Sequence, residues 1–210
     1  MQTLVIANII GLVAAVLTSL QHPSHIIYLW GHRDDRAVLR GLSVVAILTT
    51  TANSIIWVAY GTSYNALPSA LASVGTIVVM SLTVWLLRRA GVWSFPALVC
   101  YCTFVAACVA GAVAAPQNVL GATGTAISVV TWLPAALKTI RTRGTVAGLA
   151  YPPAMSCIIV ASNVAWIIYG NMLGDIWLWV SSPVGIASAC VMLWTYRYSQ
   201  HTLREQAPAR

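Results

Sequence analysis

The chain has 210 residues, of which 59% are hydrophobic and only 7% are charged, whereas about one quarter of the residues in a soluble domain are charged. This composition excludes an ordinary soluble domain and indicates a protein of the lipid bilayer. The formal net charge of +7 does not indicate a nucleic-acid partner, because the basic residues are divided among short connections and a tail and form no single stripe.

Seven apolar stretches are long enough to cross a bilayer as helices, which takes about 20 residues for about 30 Å of hydrocarbon. In chain order they cover residues 4–29, 41–60, 66–87, 95–115, 119–140, 149–169 and 176–196. They lack the alternation of β-barrel strands, so we predict transmembrane helices. The first stretch has no basic residue before it and is too long for the apolar part of a signal peptide, so we expect it to be a helix of the mature protein.

The eleven Lys and Arg residues all lie at the end of the first, third, fifth or seventh stretch or in the segment that follows it. They are Arg33, Arg36, Arg40, Arg88, Arg89, Lys138, Arg141, Arg143, Arg197, Arg204 and Arg210. Because Lys and Arg mark cytoplasmic loops, we predict an integral protein of the plasma (inner) membrane. Its N-terminus is expected outside and its C-terminus in the cytoplasm.

The chain repeats itself at a nearly constant distance. The motif W-x-x-Y-G at 57–61 returns 109 positions later at 166–170, and Trp85 returns at Trp194 with the same offset. Gly11 and Pro23 return at Gly121 and Pro134, with offsets of 110 and 111. Each half is therefore predicted to be a unit of three helices.

Three crossings leave a chain on the opposite side of the membrane, so two units in the same orientation need one more crossing between them. We predict an all-α membrane protein of seven transmembrane helices, in which an inversion linker helix joins two parallel three-helix bundles. The boundaries are 1–90 for the first bundle, 91–117 for the linker, 118–198 for the second bundle and 199–210 for a cytoplasmic tail. Parallel repeats of this kind occur in transporters, with the substrate site near the midplane between the units.

The repeated aromatic residues share one face of their helices, since Trp57 and Tyr60, like Trp166 and Tyr169, are three positions apart. An isolated Trp or Tyr is commonly an interfacial belt residue, but recurrence at fixed spacing with a glycine favours a wall of the central cavity. A Trp ring offers sugars a flat apolar face and a polar N–H at its edge. Gly61 and Gly170 fit the C-terminal ends of helices, where a left-handed backbone is easiest for glycine.

Two amides lie one turn before the tryptophans, Asn53 before Trp57 and Asn163 before Trp166. They are equally compatible with substrate contact and with hydrogen bonds that hold helices together. Asp175 is the only acidic residue outside the predicted cytoplasmic segments, and its position near the outer end of the seventh stretch is typical of a solvated carboxylate. With no other charged residue deep within a stretch, facilitated diffusion is favoured over ion coupling.

Metal, cofactor and redox chemistry have weak support. His22 and His25 flank Pro23 without a third ligand, and the five cysteines form no C-x-x-C pair and fit small packing residues. No nucleophile with a base, phosphate loop or metal cluster at motif spacing is present. We therefore predict no enzyme activity, no cofactor and no metal.

Several features together resemble the SWEET sugar transporters and their half-size SemiSWEET and PQ-loop relatives. These features are W-x-x-Y-G followed by Asp175, K-x-x-R-x-R-G-x-V at 138–146 after Pro134, and the three-one-three helix plan. The resemblance implies a bidirectional, ion-independent sugar uniporter with Trp57 and Trp166 in the sugar pocket. It also implies an outer gate of Tyr60 and Asp175, with Tyr169 as the repeat counterpart of Tyr60. The implied inner hinge prolines are Pro23, Pro134, Pro152 and Pro153, while the second helix has none.

The chain departs from the family pattern at the pocket asparagines of the third and seventh helices. Ala72 and Ser182 stand at those positions, so the paired amide clamp is absent. Ser182, and Ser73 beside Ala72, are candidate substrate contacts, and Asn53 and Asn163 are hypothesised to replace the clamp.

The combined prediction is uniport of a small neutral polar solute, a mono- or disaccharide, by alternating access. Its partners are that solute and membrane lipid, with homo-oligomer formation left open. The alternatives are a transporter of the same fold for a vitamin-like nucleoside or an amino acid, and a membrane receptor or assembly protein without transport.

Overall fold

The computed structural model describes residues 2–63 and 66–206, without the side chains of residues 2–4, 22–25 and 117. It contains eight α-helices within this part of the chain. They are α1 (Gln2–Gly31), α2 (Arg36–Arg40), α3 (Val44–Ser63), α4 (Leu67–Arg89), α5 (Phe95–Ala114), α6 (Gln117–Arg141), α7 (Pro153–Leu173) and α8 (Ser182–Glu205). Two short 3₁₀ turns, Val146–Leu149 and Ile176–Leu178, precede α7 and α8.

Seven of the described helices are long and apolar enough to cross a membrane, and each coincides with one predicted stretch. The all-α, seven-helix class is therefore confirmed. The structure adds the short helix α2, where the Asp35 carboxylate accepts hydrogen bonds from the backbone N–H groups of Ala37 and Val38. It also extends α8 to Glu205, so most of the segment predicted as a tail continues the last helix.

The glycines of the repeated motif do not end their helices, contrary to the prediction. Gly61 lies inside α3 and Gly170 inside α7, whereas Gly174 ends α7 with a φ of 67°. A Cβ on Gly61 would lie 2.8 Å from the backbone nitrogen of Ala70. Gly61 and Gly170 thus allow neighbouring chain segments to approach their helices closely. This role requires the absence of a side chain and does not require a left-handed backbone.

The long helices pack in the same pattern in both halves. Helix α4 contacts both α1 and α3, and α8 contacts both α6 and α7. The halves meet where α1 packs on α7 and where α3 packs on α6, while α5 packs mainly against α3. Helices α1, α3, α6 and α7 therefore form the seam between the halves, and that is where a central site must lie.

Two apolar clusters lie near opposite ends of this seam. One contains Tyr60, Tyr169 and Leu178, and we call this end the motif end. The other contains Leu42, Met80, Tyr151 and Met192 at the end where the basic connections lie, which we call the basic end. The bundle is thus closed by side-chain packing above and below its middle.

Candidate solute-binding cavity

A cavity of about 190 Å³ lies between the two apolar clusters. Its described lining comes from all the long helices except α5 and includes no Asp, Glu, Lys, Arg or His. Most of the polar residues in this lining carry a hydroxyl or an amide side chain. They are Thr18, Gln21, Thr50, Asn53, Ser54, Ser69, Ser73, Thr76, Thr83, Ser128, Thr131, Ser162, Asn163, Ser181 and Ser182. Such a lining suits a neutral solute rich in hydrogen-bonding groups.

Trp57 reaches the cavity from α3 and is held by the opposite half. Its indole Nε1–H donates to the Ser128 hydroxyl of α6 at 3.2 Å. Ser128 in turn donates to the Asn53 side-chain oxygen at 3.0 Å. The relay fixes the orientation of the Trp57 ring, because its only polar atom is already bonded. Trp57 therefore offers its ring face to the cavity, and not the N–H that sequence reasoning had assigned to a solute.

Trp166 is held in the corresponding way on the other side of the seam. Its Nε1–H donates to the Thr18 hydroxyl of α1 at 2.9 Å. Thr18 and Ser128 are separated by 110 positions, the same offset as Gly11 and Gly121. The repeat therefore includes the hydroxyl partners of both tryptophans, which the sequence analysis missed because Ser and Thr are common and differ from each other.

The tyrosines of the two motifs also cross the seam. A Cβ on Gly11 would lie 2.7 Å from the Tyr169 ring, and a Cβ on Gly121 would lie 3.1 Å from the Tyr60 ring. Both tyrosines are almost fully buried, with 2% of Tyr60 and 1% of Tyr169 exposed. Each motif is thus docked on the first helix of the opposite half, with Trp beside the cavity and Tyr closing the motif end above it.

The two amides line the cavity but have different partners. Asn53 accepts the hydrogen bond from Ser128 across the seam. Asn163 donates to the Ile159 carbonyl of its own helix at 2.8 Å, and its side chain packs where a Cβ on Gly185 would stand. Asn53 therefore belongs to the polar relay between the halves, whereas Asn163 lies within one half at the contact of α7 with α8.

The two candidate serines and the positions that depart from the family pattern line the cavity from two different helices, α4 and α8. Ser73, Ala72 and Ser182 are all buried and all line the cavity. The structure therefore brings together all six predicted substrate-contact residues. Ala72 contributes no polar atom, but Ser69, Ser73, Thr76 and Thr83 of the same helix also line the cavity.

A hydrogen bond between the halves closes the motif end. The Tyr60 hydroxyl donates to Oδ2 of Asp175 at 2.7 Å. The other carboxylate oxygen accepts from the backbone N–H of Trp177 at 3.0 Å, which orients the group. The structure thus brings together Tyr60 and Asp175, the pair that the resemblance places at an outer gate. The Tyr169 hydroxyl makes no hydrogen bond with the described residues, so the two tyrosines are not equivalent.

The basic end is closed by a reciprocal set of contacts that the sequence analysis did not identify. Lys138 of α6 donates to the backbone carbonyls of Arg40 and Leu42, at 2.7 Å to Arg40. In return, the Tyr28 hydroxyl of α1 donates to the carbonyl of Leu149. Each half therefore binds the connection that follows the first helix of the other.

Tyr151 adds a buried phenol to this closure. It lies between α6 and α7, lines the basic end of the cavity and is 7% exposed. Burial raises the pKa of Tyr151 to about 12, although a hydrogen bond with the Ser43 backbone opposes this rise. Tyr151 is thus neutral at physiological pH, and the cavity contains no charge from this side.

The predicted hinge prolines occupy different positions. Pro134 lies inside α6, where proline removes a backbone hydrogen bond and bends the helix. Pro152 is the N-cap and Pro153 the first residue of α7, a location where proline costs no hydrogen bond. Pro23 lies within the range of α1, but its side chain is outside the described residues, as are those of His22 and His25. Of the described prolines in the predicted set, only Pro134 interrupts a helix.

The cysteines do not pack between helices as the sequence analysis expected. Cys100, Cys102, Cys157 and Cys190 are exposed, and Cys108 is partly exposed. They lie on outward surfaces of α5, α7 and α8. Within the described residues, no three His, Cys, Asp or Glu side chains are grouped to hold a metal ion.

Comparison with known proteins finds a match among solved structures and none by sequence. No protein-family model and no curated protein matches the chain. Among solved structures, the chain is similar to that of a eukaryotic SWEET transporter, with 18% sequence identity and a TM-score of 0.62. The match covers 95% of this chain and 97% of the other. The chain therefore has the SWEET fold over nearly its whole length.

Proposed function

We propose that this protein is a uniporter that moves a small neutral sugar across the plasma membrane by alternating access. The observation that carries the proposal is a cavity without described charged residues, between two tryptophans at the seam of two repeated halves. Contacts between the halves lie on both sides of it. The SWEET fold supports the same reading. The basic connections would lie in the cytoplasm and the motif end outside.

The chemistry of the lining favours a sugar over the other solutes. Ring faces of Trp57 and Trp166 suit the C–H faces of a sugar, and the surrounding hydroxyls and amides suit its hydroxyl groups. An amino acid would bring a carboxylate and an ammonium into a cavity whose described lining has no opposite charge, which is costly. The neutral lining therefore argues against amino acids.

The volume of the cavity limits the size of the solute that can bind. An engineered protein cavity of about 150 Å³ holds one benzene molecule, and this cavity of about 190 Å³ is only slightly larger. It has room for a single substituted six-membered ring. In this conformation, a monosaccharide fits the site better than a disaccharide or a nucleoside.

The two closures supply a mechanism. The Tyr60–Asp175 bond and the docked tyrosines hold the halves together at the motif end. The contacts of Lys138 and Tyr28 hold them together at the basic end. Because both sets cross the same seam, rocking of the halves would open one end while the other stays closed. No described charged group lies in the cavity to couple this movement to an ion.

A thermal-shift screen of the purified protein tests the substrate class directly. Hexoses, disaccharides, nucleosides and amino acids are compared, since a ligand at 100 times its Kd adds about 2.7 kcal/mol of stability. A hexose is expected to stabilise the protein, and Trp166→Leu is expected to remove that effect. Trp194→Leu, at an exposed position away from the cavity, serves as the matched control.

Other outcomes of the screen would replace the proposal. Stabilisation by a nucleoside or an amino acid alone would assign another solute to the same fold. If no compound stabilises the folded protein, the cavity is not a sugar site, and a receptor or assembly role takes its place.

A further inference from the structure

Two tryptophans and two arginines form a cluster outside the cavity, where α1 and α4 reach the basic end. The rings of Trp30 and Trp85 are nearly parallel, 6.2 Å apart with an interplanar angle of 11°. The Arg33 guanidinium lies 5.7 Å from the centre of the Trp30 ring, and that of Arg89 lies 5.4 Å from the Trp85 ring. We call these four residues the Arg–Trp cluster. Both rings are about half exposed, at 46% and 47%, so the cluster faces the surroundings of the bundle.

The chain itself neutralises little of the positive charge of this cluster. All four acidic side chains of the sequence lie in the described part of the chain. Of these, Asp34 alone forms an ion pair with the cluster, 3.8 Å from Arg33 and 93% exposed. Asp35 instead caps α2 through hydrogen bonds with the backbone. Arg89 therefore has no carboxylate partner among the described residues. The Arg36 guanidinium adds a third cation beside the turn that follows α4. An external anion would complete this arrangement.

The surface next to the cluster is apolar on the side that points into the membrane. Ile27 precedes Trp30 by three positions and is 72% exposed, and Leu82 precedes Trp85 by three positions and is 45% exposed. Each pair shares one face of its helix. A cationic group at the end of a span with exposed aliphatic side chains below it matches a phospholipid, which joins a phosphate to acyl chains.

We propose that the Arg–Trp cluster is a binding site for one anionic phospholipid of the cytoplasmic leaflet. Its phosphate contacts Arg33 and Arg89, the headgroup region packs against Trp30 and Trp85, and the acyl chains follow Ile27 and Leu82. Basic clusters at the cytoplasmic ends of helices attract anionic lipids, and stacking on Trp holds the guanidinium groups in place. The lipid would thereby join α1 to α4 within the first half.

The second half of the repeat lacks this arrangement. Trp194 is the counterpart of Trp85 and is 50% exposed, but its described ring neighbour is Tyr198, at 5.9 Å. Thr139, Ile140 and Arg141 stand at the positions that would correspond to Trp30. The site is therefore present once per chain, and Trp194 provides an internal control of matched exposure.

Native mass spectrometry of the purified full-length protein tests the proposal. The protein is titrated in detergent with phosphatidylglycerol or with phosphatidylcholine of the same acyl chains, and bound lipids are counted. One phosphatidylglycerol is expected to bind more tightly than phosphatidylcholine. The double variant Arg33→Gln, Arg89→Gln should bind it about 30-fold more weakly, equivalent to about 2 kcal/mol for two arginines. Trp85→Leu should weaken binding, and Trp194→Leu should leave it unchanged.

Three results would overturn the proposal. Equal binding of the two lipids would mean that charge plays no part, and equal losses in the Trp85 and Trp194 variants would mean that the effect is not local. Displacement of the lipid by millimolar inorganic phosphate would identify a site for a soluble anion instead. Because no solute or transport is involved, these outcomes are independent of the proposed sugar uniport.

Discussion

Replacing Tyr60 by Phe removes one hydroxyl and leaves the ring that packs against Gly121. The substitution removes the 2.7 Å hydrogen bond from the Tyr60 hydroxyl to the Asp175 carboxylate. Hydrogen bonds to charged groups contribute about 1.5–3 kcal/mol net. The bond exists only when the motif end is closed, so its loss should shift the equilibrium toward the open motif end by about 10- to 150-fold. The Trp177 N–H still holds the other carboxylate oxygen, so the Asp175 segment should keep its position.

Distance measurements by pulsed electron paramagnetic resonance can detect this shift. Spin labels at Thr62 and Val180 in a cysteine-free background report the separation of the halves at the motif end. Tyr60→Phe should increase the population with the longer distance. Tyr169→Phe is the matched control, because its hydroxyl makes no hydrogen bond with the described residues and its loss should change little. A distance distribution for Tyr60→Phe that equals the unsubstituted protein would refute the reasoning that this bond closes the gate.

Three further predictions concern the seam, the basic end and pH. Gly11→Ala places a Cβ 2.7 Å from the Tyr169 ring and should cost about 1–3 kcal/mol of stability, seen as a lower Tm. Gly111→Ala, with open space around it inside α5, should not lower the Tm, because alanine favours a helix more than glycine does. Lys138→Met removes both hydrogen bonds to the connection after α1 and should lower the Tm by several degrees, while Arg141→Met at an exposed position should not. Sugar flux should be constant between about pH 6 and pH 9, because the Tyr151 pKa is raised to about 12. The stability that comes from neutral Tyr151 is fully present below about pH 10 and is lost as the pH rises through about 12. A maximum of the sugar flux between about pH 6 and pH 9 would contradict this prediction.

The sequence predicted the seven helices because bilayer spans have a strong composition signal that depends on length and apolarity alone. The offset of 109 between Trp57 and Trp166 also predicted that both rings belong to one site. The structure places both rings on the same cavity and holds each with a hydroxyl from the opposite half. A fixed repeat of large residues was enough to find the tryptophans, since Trp is rare and its position is constrained by packing.

Other parts of the site could not be predicted, because they depend on contacts between distant segments. Ser128 and Thr18 resemble many other hydroxyl residues, and only their bonds to the indole N–H groups distinguish them. In the sequence, Lys138 is one of eleven basic residues and has no distinguishing feature. In the structure, it donates hydrogen bonds to two carbonyls across the seam. Gly61 and Gly170 were wrongly assigned to helix ends, because the sequence does not tell a glycine needed for close approach from one needed for a left-handed backbone.

Counterflow of labelled glucose in proteoliposomes tests the central claim that the cavity moves a neutral sugar without ion coupling. Liposomes loaded with unlabelled glucose and kept at equal pH and equal salt on both sides should accumulate the label transiently. Trp57→Leu and Trp166→Leu should each abolish this accumulation, and Trp194→Leu should retain it. Absence of counterflow in correctly folded protein, or counterflow that appears only with a proton or sodium gradient, would contradict the account.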